Sequence, residues 1–190
     1  MASLTDQKAE LRNRLKRVRQ TVMGETRQRL DQAIRKKLLA LSPVSAARSL
    51  FCFLSSGTEV DSHGIVETLL QQGKQLAVPK IIDSRTMIAV AFTSWEELAP
   101  GQLGILTPNS SEPVQGQIDV CITPGLGFSP CGQRLGFGRG YYDTWFAENP
   151  VACKIGIAYE CQLIGDLPAD ETDIAMDILV TEQRVLEINR

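Results

Sequence analysis

The chain has 190 residues, of which 43% are hydrophobic and 22% are charged, and its formal net charge is −2. This composition is typical of a soluble globular protein, and no segment reaches the roughly 18 consecutive apolar residues of a membrane helix. The single histidine, His63, argues against a His-based zinc site and against a Ser-His-Asp triad. We therefore expect one domain over residues 1–190, in the cytoplasm, with no membrane partner.

Five cysteines are scattered along the chain without a CxxC pair: Cys52, Cys121, Cys131, Cys153 and Cys161. An odd number of separated thiols favours a reducing compartment over a disulfide framework. We interpret all five as small core residues.

The first 41 residues predict two helices packed on the rest of the chain. In the first, Leu4, Leu11 and Leu15 repeat at helical spacing, with Thr5 and Asp6 at its start and Gly24 as its end. A second apolar repeat follows, and the dipeptide "SP" at 42–43 is expected to end that helix.

Short apolar runs then alternate with helical patterns. The segment "SHGIVETLLQQGK" predicts a helix with Ser62 at its N-cap and Gly73 at its C-terminus. The strand candidates are "SLFCFLS", "QLAVPK", "MIAVAF", "DVCITP", "CKIGIAY" and "DILVT". Strand-helix-strand alternation predicts an α/β fold with a mostly parallel sheet, whose ligand site lies at the carboxyl ends of the strands.

A glycine-rich segment, "RLGFGRGYYD" at 134–143, follows one of these strand ends. Its alternating glycines allow positive φ angles, its two arginines offer planar donors for phosphate oxygens, and the following "YYDTWFAEN" predicts a helix N-terminus. Asp143 could hold the magnesium of a nucleotide or could simply charge the first turn of that helix. The segment is neither a Walker loop nor GxGxxG, so a phosphate cradle and a plain glycine-rich turn both remain open.

The longer stretch "PGLGFSPCGQRLGFGRGYYD" resembles the signature of the 5-formyltetrahydrofolate cyclo-ligase family. The segments "KAELR", "LSSGTEVDS", "GKQLAVPK" and "DLPADETDIAMDILVT" also fall where that family has counterparts. The resemblance implies a three-layer α/β sandwich, similar to sugar-phosphate isomerases and CoA transferases (the NagB/RpiA/CoA transferase-like fold), preceded by an N-terminal helical pair.

The resemblance also implies a reaction. Such enzymes convert 5-formyltetrahydrofolate to 5,10-methenyltetrahydrofolate with ATP as co-substrate and Mg²⁺ as cofactor, releasing ADP and phosphate. The formyl oxygen attacks the γ-phosphate, and N10 of the folate then attacks the activated carbon. This chemistry needs positioning and charge neutralisation more than a covalent nucleophile, in agreement with a sequence that has no recognisable nucleophile-base pair.

Site residues are implied at matching positions. Arg134 and Tyr141 would be catalytic, and Asp143 and Asp173 would hold the metal. ATP would contact Lys8, Arg12, Arg134, Leu135, Gly136, Phe137, Gly138, Arg139, Gly140, Tyr141 and Tyr142. The folate would contact Leu54, Glu59, Phe137, Gly138, Arg139, Gly140 and Tyr141.

Two positions depart from the family pattern: Thr107 of "GILTP" stands where an acid is common, and Phe137 where Tyr or Arg is frequent.

Three alternative functions remain. Between Lys8 and Lys37 there are eleven basic and three acidic residues, so this segment has a charge of +8 while the rest of the chain has −10. The first alternative is therefore a nucleic-acid-binding module, although no groove-reading motif accompanies the basic segment. A scaffold relative with another substrate and a nucleotide binder that no longer cyclises folate are the others. We expect a monomer that binds small molecules and no nucleic acid.

Overall fold

The computed structural model describes residues 3–101 and 106–188. The helices are α1 (Leu4–Gln20), α2 (Gly24–Leu39), α3 (Ser42–Ala46), α4 (His63–Gln71) and α5 (Tyr141–Glu148), with 3-10 turns at Trp95–Glu97 and Glu160–Gln162. The strands are β1 (Ser49–Cys52), β2 (Gln75–Ile81), β3 (Met87–Phe92), β4 (Leu98–Pro100), β5 (Leu106–Pro108), β6 (Ile118–Thr123), β7 (Gly127–Phe128), β8 (Arg134–Leu135), β9 (Val151–Ile157), β10 (Ile178–Val180) and β11 (Val185–Glu187).

Seven strands form the main sheet in the order β11-β10-β9-β6-β1-β2-β3. The five inner strands run parallel to one another, whereas β3 and β11 pair antiparallel at the two edges. The prediction of a mostly parallel sheet is therefore confirmed. Two small hairpins, β4-β5 and β7-β8, lie outside it.

Alternating side chains of the inner strands bury both faces of the sheet. In β1, Leu50 and Cys52 join one apolar cluster, while Phe51 joins the cluster on the opposite face. Helices α2, α3 and α4 pack on the first face, and α5 packs on the second through Trp145 and Phe146. Near-continuous apolar strands of this kind require cover on both sides, so the three-layer α/β architecture is confirmed.

The two N-terminal helices separate in space. Helix α2 packs on the sheet through Ile34 and Leu38. Helix α1 instead packs across the β7-β8 hairpin, where Leu15 meets Leu126, Leu135 and Leu167. Leu4 does not belong to the buried stripe, because its side chain lies exposed at the start of the helix.

The start and end of α1 differ from the predictions. Ser3, not Thr5, caps the helix: its hydroxyl accepts the Asp6 amide, and the Asp6 carboxylate accepts the Ser3 amide, which completes a capping box. The helix ends at Gln20, before Gly24, and Gly24 opens α2 with φ +59°.

Two other boundaries need correction. The "SP" dipeptide opens the short helix α3, because proline suits a first helical turn. At α4, Asp61 accepts the amides of His63 and Gly64, whereas the Ser62 hydroxyl accepts the Ser55 amide. Asp61 thus supplies the cap assigned to Ser62. The glycine at the other end behaves as predicted, since Gly73 has φ +73°.

The cysteines divide by burial. Cys52 and Cys121 lie in the core, and burial raises the pKa of the Cys121 thiol to about 12. Cys153 is half-buried, whereas Cys131 and Cys161 are exposed, so interpreting all five as core residues was wrong. Within residues 3–101 and 106–188, no helix is both long and apolar enough to cross a membrane.

Candidate active site

The sheet has a switch point between β1 and β6, and we call the region between the loops that follow these two strands the crevice. From β1 the chain crosses through α4 to β2 on one side, and from β6 it crosses through α5 to β9 on the other side. Because such crossovers share one hand, α4 and α5 fall on opposite faces and the loops after β1 and β6 diverge. Open α/β sheets bind ligands at this kind of switch point. The two loops, 53–62 and 124–140, contain most of the predicted site.

The second loop contains a hairpin that the sequence pattern did not show. Gly127 and Phe128 of β7 pair with Leu135 and Arg134 of β8, so Arg134 lies in a strand and not in a loop. A Cβ atom on Gly127 would lie 2.5 Å from Leu15 Cδ1. Glycine at 127 is therefore what allows α1 to close over the hairpin.

Arg134 is buried on the floor of the crevice beside Asp143. Its Nη2 donates to Asp143 Oδ2 at 2.8 Å, and its guanidinium lies 5.4 Å from the centre of the Tyr142 ring. Arg134 Nε and the Tyr142 hydroxyl are both buried with no hydrogen-bond partner among the described residues. Buried polar atoms are normally paired, so these two orphaned atoms fit a floor that a polar ligand completes.

The glycine segment faces α1 through Arg12. Arg12 Nε donates to the Gly136 carbonyl at 3.0 Å. Gly138 has φ +102°, and a Cβ atom there would lie 3.3 Å from Arg12 Cζ. Gly140, with φ +71°, caps the N-terminus of α5. The positive φ angles and the close approach of Arg12 require glycine at 138, as the sequence predicted.

Lys8 ties α1 to the loop before β10. Its Nζ donates to Asp170 Oδ2 at 2.7 Å and to Asp173 Oδ2 at 2.6 Å. Burial lowers the pKa of Lys8, but the hydrogen bonds to both carboxylates outweigh this and raise it. The Lys8 hydrogen bond, with those from Thr172, holds the pKa of Asp170 well below its usual range. Sequence reasoning missed Asp170; the "DETD" run held it, but nothing distinguished it from Asp173.

The two residues predicted to bind the metal are linked through one backbone contact. Asp143 Oδ1 accepts the amide of Ile174, the residue after Asp173, at 3.2 Å. Carboxylate oxygens are the kind of ligand that suits Mg²⁺, which takes one or two of them and completes its shell with phosphates and water. In the part of the chain described, no three or more acidic, histidine or cysteine side chains form a metal site by themselves.

Glu59 forms the opposite wall of the crevice. Its Oε2 accepts the Ser56 amide at 2.8 Å, and burial raises the pKa of its carboxyl. Leu54 is buried in the core, so only its backbone is placed to meet a ligand. Arg19 stands 3.9 Å from Glu59 Oε1, and sequence reasoning missed it. The signal was available: Lys8, Arg12, Leu15 and Arg19 follow i, i+4, i+7, i+11 spacing, which places them on one helix face.

The remaining predicted residues occupy different environments. Phe137 is 47% exposed at the crevice mouth, and Arg139 is exposed beside it. Tyr141 is half-buried and donates from its hydroxyl to the Asp83 carbonyl at 3.1 Å. Leu135 is a core residue whose carbonyl accepts the Leu126 amide, so its side chain points away from the crevice. Thr107 lies in β5, whereas Gly104 and Ile105 of "GILTP" lie outside the described residues.

Fold and crevice together define an α/β protein with a cation-lined, glycine-rich site at the carboxyl edge of a parallel sheet. The family model described as the 5-formyltetrahydrofolate cyclo-ligase family matches residues 4–182. The probable 5-formyltetrahydrofolate cyclo-ligase of Caenorhabditis elegans is 30% identical over 198 residues, covering 96% of each chain. The Escherichia coli K12 5-formyltetrahydrofolate cyclo-ligase is 30% identical over 179 residues, covering 89% of this chain and 97% of that protein.

Solved structures agree. The NMR structure of Aquifex aeolicus 5,10-methenyltetrahydrofolate synthetase superimposes with a TM-score of 0.86 at 31% identity, covering 96% of this chain and 93% of that one. The Mycoplasma pneumoniae 5,10-methenyltetrahydrofolate synthetase gives a TM-score of 0.72 at 27% identity, covering 92% and 98%. The chain belongs to the 5-formyltetrahydrofolate cyclo-ligase family, and the resemblance found in its sequence is confirmed.

Proposed function

We propose that the chain catalyses the ATP-dependent cyclisation of 5-formyltetrahydrofolate to 5,10-methenyltetrahydrofolate, with release of ADP and phosphate. The observation that carries the proposal is the family match over residues 4–182 together with the crevice it covers. Arg12 and Arg134 bring two cations to the glycine segment, and Lys8 lies one helical turn before Arg12. Glu59 brings a carboxylate on the other side. One side of the crevice thus suits a polyanion such as a triphosphate, and the other side suits a ligand that donates N–H groups.

The reaction transfers one phosphoryl group and closes one ring. The formyl oxygen attacks the γ-phosphorus of ATP, and the bond to the β-phosphate oxygen breaks to give ADP. N10 then attacks the formyl carbon, loses its proton, and the C–O bond breaks to release phosphate. Oxygen is a poor leaving group until it is phosphorylated, so binding both substrates in line contributes most of the catalysis.

The cations of the crevice are already paired, which indicates how it receives a nucleotide. Arg134 contacts Asp143 and Lys8 contacts Asp173, so each cation pairs with one of the two carboxylates assigned to the metal. On ATP binding, Lys8 and Arg134 would turn to phosphate oxygens, and Asp143 and Asp173 would be the residues that hold magnesium. Magnesium supplies neutralisation of charge on the phosphates. Bidentate guanidinium contacts suit Arg134 for the transferred group, and Tyr141 borders it from the first turn of α5.

The pterin is assigned to the wall formed by Glu59. A carboxylate accepts the amino and ring N–H groups of a pterin, while Phe137 at the crevice mouth offers an exposed ring for stacking. The carbonyls and amides from Phe137 to Tyr141 lie between this wall and the cations, so the glycine segment would touch both substrates.

The proposal also covers the setting of the enzyme. It would be a single-domain monomer of the cytoplasm, and its five free cysteines support the reducing compartment. Lys8 and Arg19 of the basic N-terminal segment are buried against acidic side chains, so these two are not available to a nucleic acid.

The test is a direct assay of the purified chain. Incubation with 5-formyltetrahydrofolate, ATP and magnesium should produce the methenyl chromophore and one ADP per product. Omission of ATP is the internal control. Absence of product, while an active cyclo-ligase works in the same buffer, would reject the proposed function.

A further inference from the structure

Arg19 is a buried cation in the last turn of α1 that the proposed reaction does not use. Its side chain is 8% exposed, although most of the basic residues around it face solvent. A buried arginine needs partners, because its charge and five N–H donors otherwise lose their hydration. The partners of Arg19 identify its role.

Arg19 bridges the two walls of the crevice. Its Nε donates to Thr58 Oγ1 at 3.0 Å, and its Nη1 stands 3.9 Å from Glu59 Oε1. Its Cζ lies 5.5 Å from the centre of the Phe137 ring, a cation-π distance. One guanidinium therefore contacts the loop after β1 and the glycine segment at the same time.

A second layer holds the same loop from behind. Arg27 Nη2 donates to the Glu59 carbonyl at 2.7 Å, and Arg27 Nε lies 3.5 Å from Asp31 Oδ2. Asp31 in turn accepts the Tyr159 hydroxyl at 2.6 Å. These contacts fix the backbone of Glu59 and leave the direction of its carboxylate to the Ser56 amide on one oxygen and to Arg19 on the other.

From this geometry we infer that Arg19 is a positioning residue for folate: it orients the Glu59 carboxylate toward the pterin and holds Phe137 over the same end of the crevice. The inference rests on the proposed function. It assigns Arg19 to the folate side, because its contacts lie on Thr58, Glu59 and the Phe137 ring and not on Lys8, Arg12 or Arg134.

Charge explains why Glu59 needs this partner. Burial raises the pKa of Glu59, and protonation would remove the charge with which it accepts pterin N–H groups. The charged and titratable groups that face Glu59 are Arg19 from α1, Arg27 from α2 and Tyr142 from α5. Loss of Arg19 should therefore raise the pKa of Glu59 further and protonate it at a higher pH.

The experiment compares Arg19→Gln with Arg17→Gln, which removes an exposed arginine from the same last turn. Arg19→Gln should raise KM for 5-formyltetrahydrofolate about tenfold, as expected for a lost charge-assisted contact, with KM for ATP changed less than about twofold. The acidic limb of the kcat/KM profile for folate should move to higher pH. Arg19→Lys, which keeps the charge, should restore the limb but only part of KM.

A double-mutant cycle with Glu59→Gln separates positioning from folding. If Arg19 acts through Glu59, Arg19→Gln should raise folate KM much less in the Glu59→Gln background than in the wild type. Additive effects, or equal losses for folate and ATP, would overturn the inference. Calorimetric titration of 5-formyltetrahydrofolate without ATP measures folate binding without turnover. If the wild type binds folate and Arg19→Gln binds it equally well, the inference about Arg19 is overturned while the proposed function stands. If the wild type shows no cyclisation activity, the proposed function itself is rejected.

Discussion

Arg134 is a buried side chain of the crevice that contacts both a carboxylate and an aromatic ring. It is 5% exposed, pairs with Asp143, and lies over Tyr142. Its burial is possible because β8 presents it inward, while its Nε remains without an acceptor among the described residues. Substitution would therefore remove the proposed phosphate donor and also the partner of Asp143.

Arg134→Ala should lower kcat/KM for ATP by about a hundredfold or more, because a preorganised donor to a transferred phosphate is lost. Cys131→Ala, an exposed thiol three residues away in sequence, is the control and should stay within about twofold. Steady-state kinetics with varied ATP measure both. Equal effects of the two substitutions would contradict a phosphate role for Arg134.

Gly138 tests the close approach of Arg12. A Cβ atom at 138 would both strain a backbone at φ +102° and crowd the Arg12 guanidinium at 3.3 Å. Gly138→Ala should raise KM for ATP about fivefold to tenfold, since Arg12 must leave its place beside the glycine segment. Gly116→Ala is matched for the strain, with φ +92° and no atom within 4 Å. If Gly116→Ala raises KM for ATP equally, crowding of Arg12 is not the cause.

At the scale of elements, helix α1 contacts three of the loops that surround the crevice. Leu15 packs it on the hairpin, while Lys8, Arg12 and Arg19 reach the Asp173 loop, the glycine segment and the Glu59 loop in turn. Residues spaced i, i+4, i+7 and i+11 share one helix face, so a single straight helix can contact three separate loops. The helix thus adds three cations to the arginine that the β7-β8 hairpin provides.

Lys8→Met should release the first half of α1. At neutral pH, amide exchange over residues 4–12 should rise several-fold, because Lys8 is the side chain joining this part of the helix to Asp170 and Asp173. Lys16→Met, on the exposed face, is the control. Unchanged exchange in Lys8→Met would show that the contacts of Arg12 and Leu15 retain the helix without Lys8.

The same contact predicts a direction with pH. The pKa of Asp170 is lower in the folded chain than its usual value of about 3.9, so the Lys8 contact stabilises the fold above that value. Its contribution is lost as the pH falls through the lower, folded-state pKa. Protection of residues 4–12 in the wild type should therefore persist well into mildly acidic solution.

At the scale of the whole molecule, one glycine allows the β7-β8 hairpin to pack closely against the main sheet. Gly156 lies in β9, and a Cβ atom there would stand 2.6 Å from Phe128 Cε1 and 2.7 Å from Leu179 Cδ2. Phe128 belongs to β7, the strand that pairs with Arg134. The packing of the sheet face therefore supports the hairpin that carries Arg134.

Gly156→Ala should lower the free energy of unfolding by about 1–3 kcal/mol, because a packed core does not accept an added methyl without movement. Gly165→Ala, with no atom within 4 Å, should change it by less than about 0.5 kcal/mol. Urea denaturation measures both. A Gly156→Ala protein as stable as the wild type would show that Phe128 and Leu179 move freely, contrary to a tightly packed layer.

The sequence by itself determined the α/β class and the family, and it indicated the segment to which we assign the phosphate site. These follow from local features: period-two and period-3.6 apolar patterns, glycine spacing, and a run of letters specific enough to be compared. Gly138 and Gly140 adopt the positive φ angles that their spacing indicated. The backbone angles that a position can adopt depend on the residue type at that position, so the sequence can indicate them.

Only the tertiary structure decided which distant groups meet. Asp170 and Asp173 lie more than 160 residues from Lys8, and the short strand carrying Arg134 has only two residues. The spacing of Arg19 indicates its helix face, but the Thr58 and Glu59 partners that bury it come from a distant loop. A pairing between side chains far apart in sequence is set by sheet order and crossover hand. Burial of a charge likewise depends on where its partners arrive, which no local pattern records.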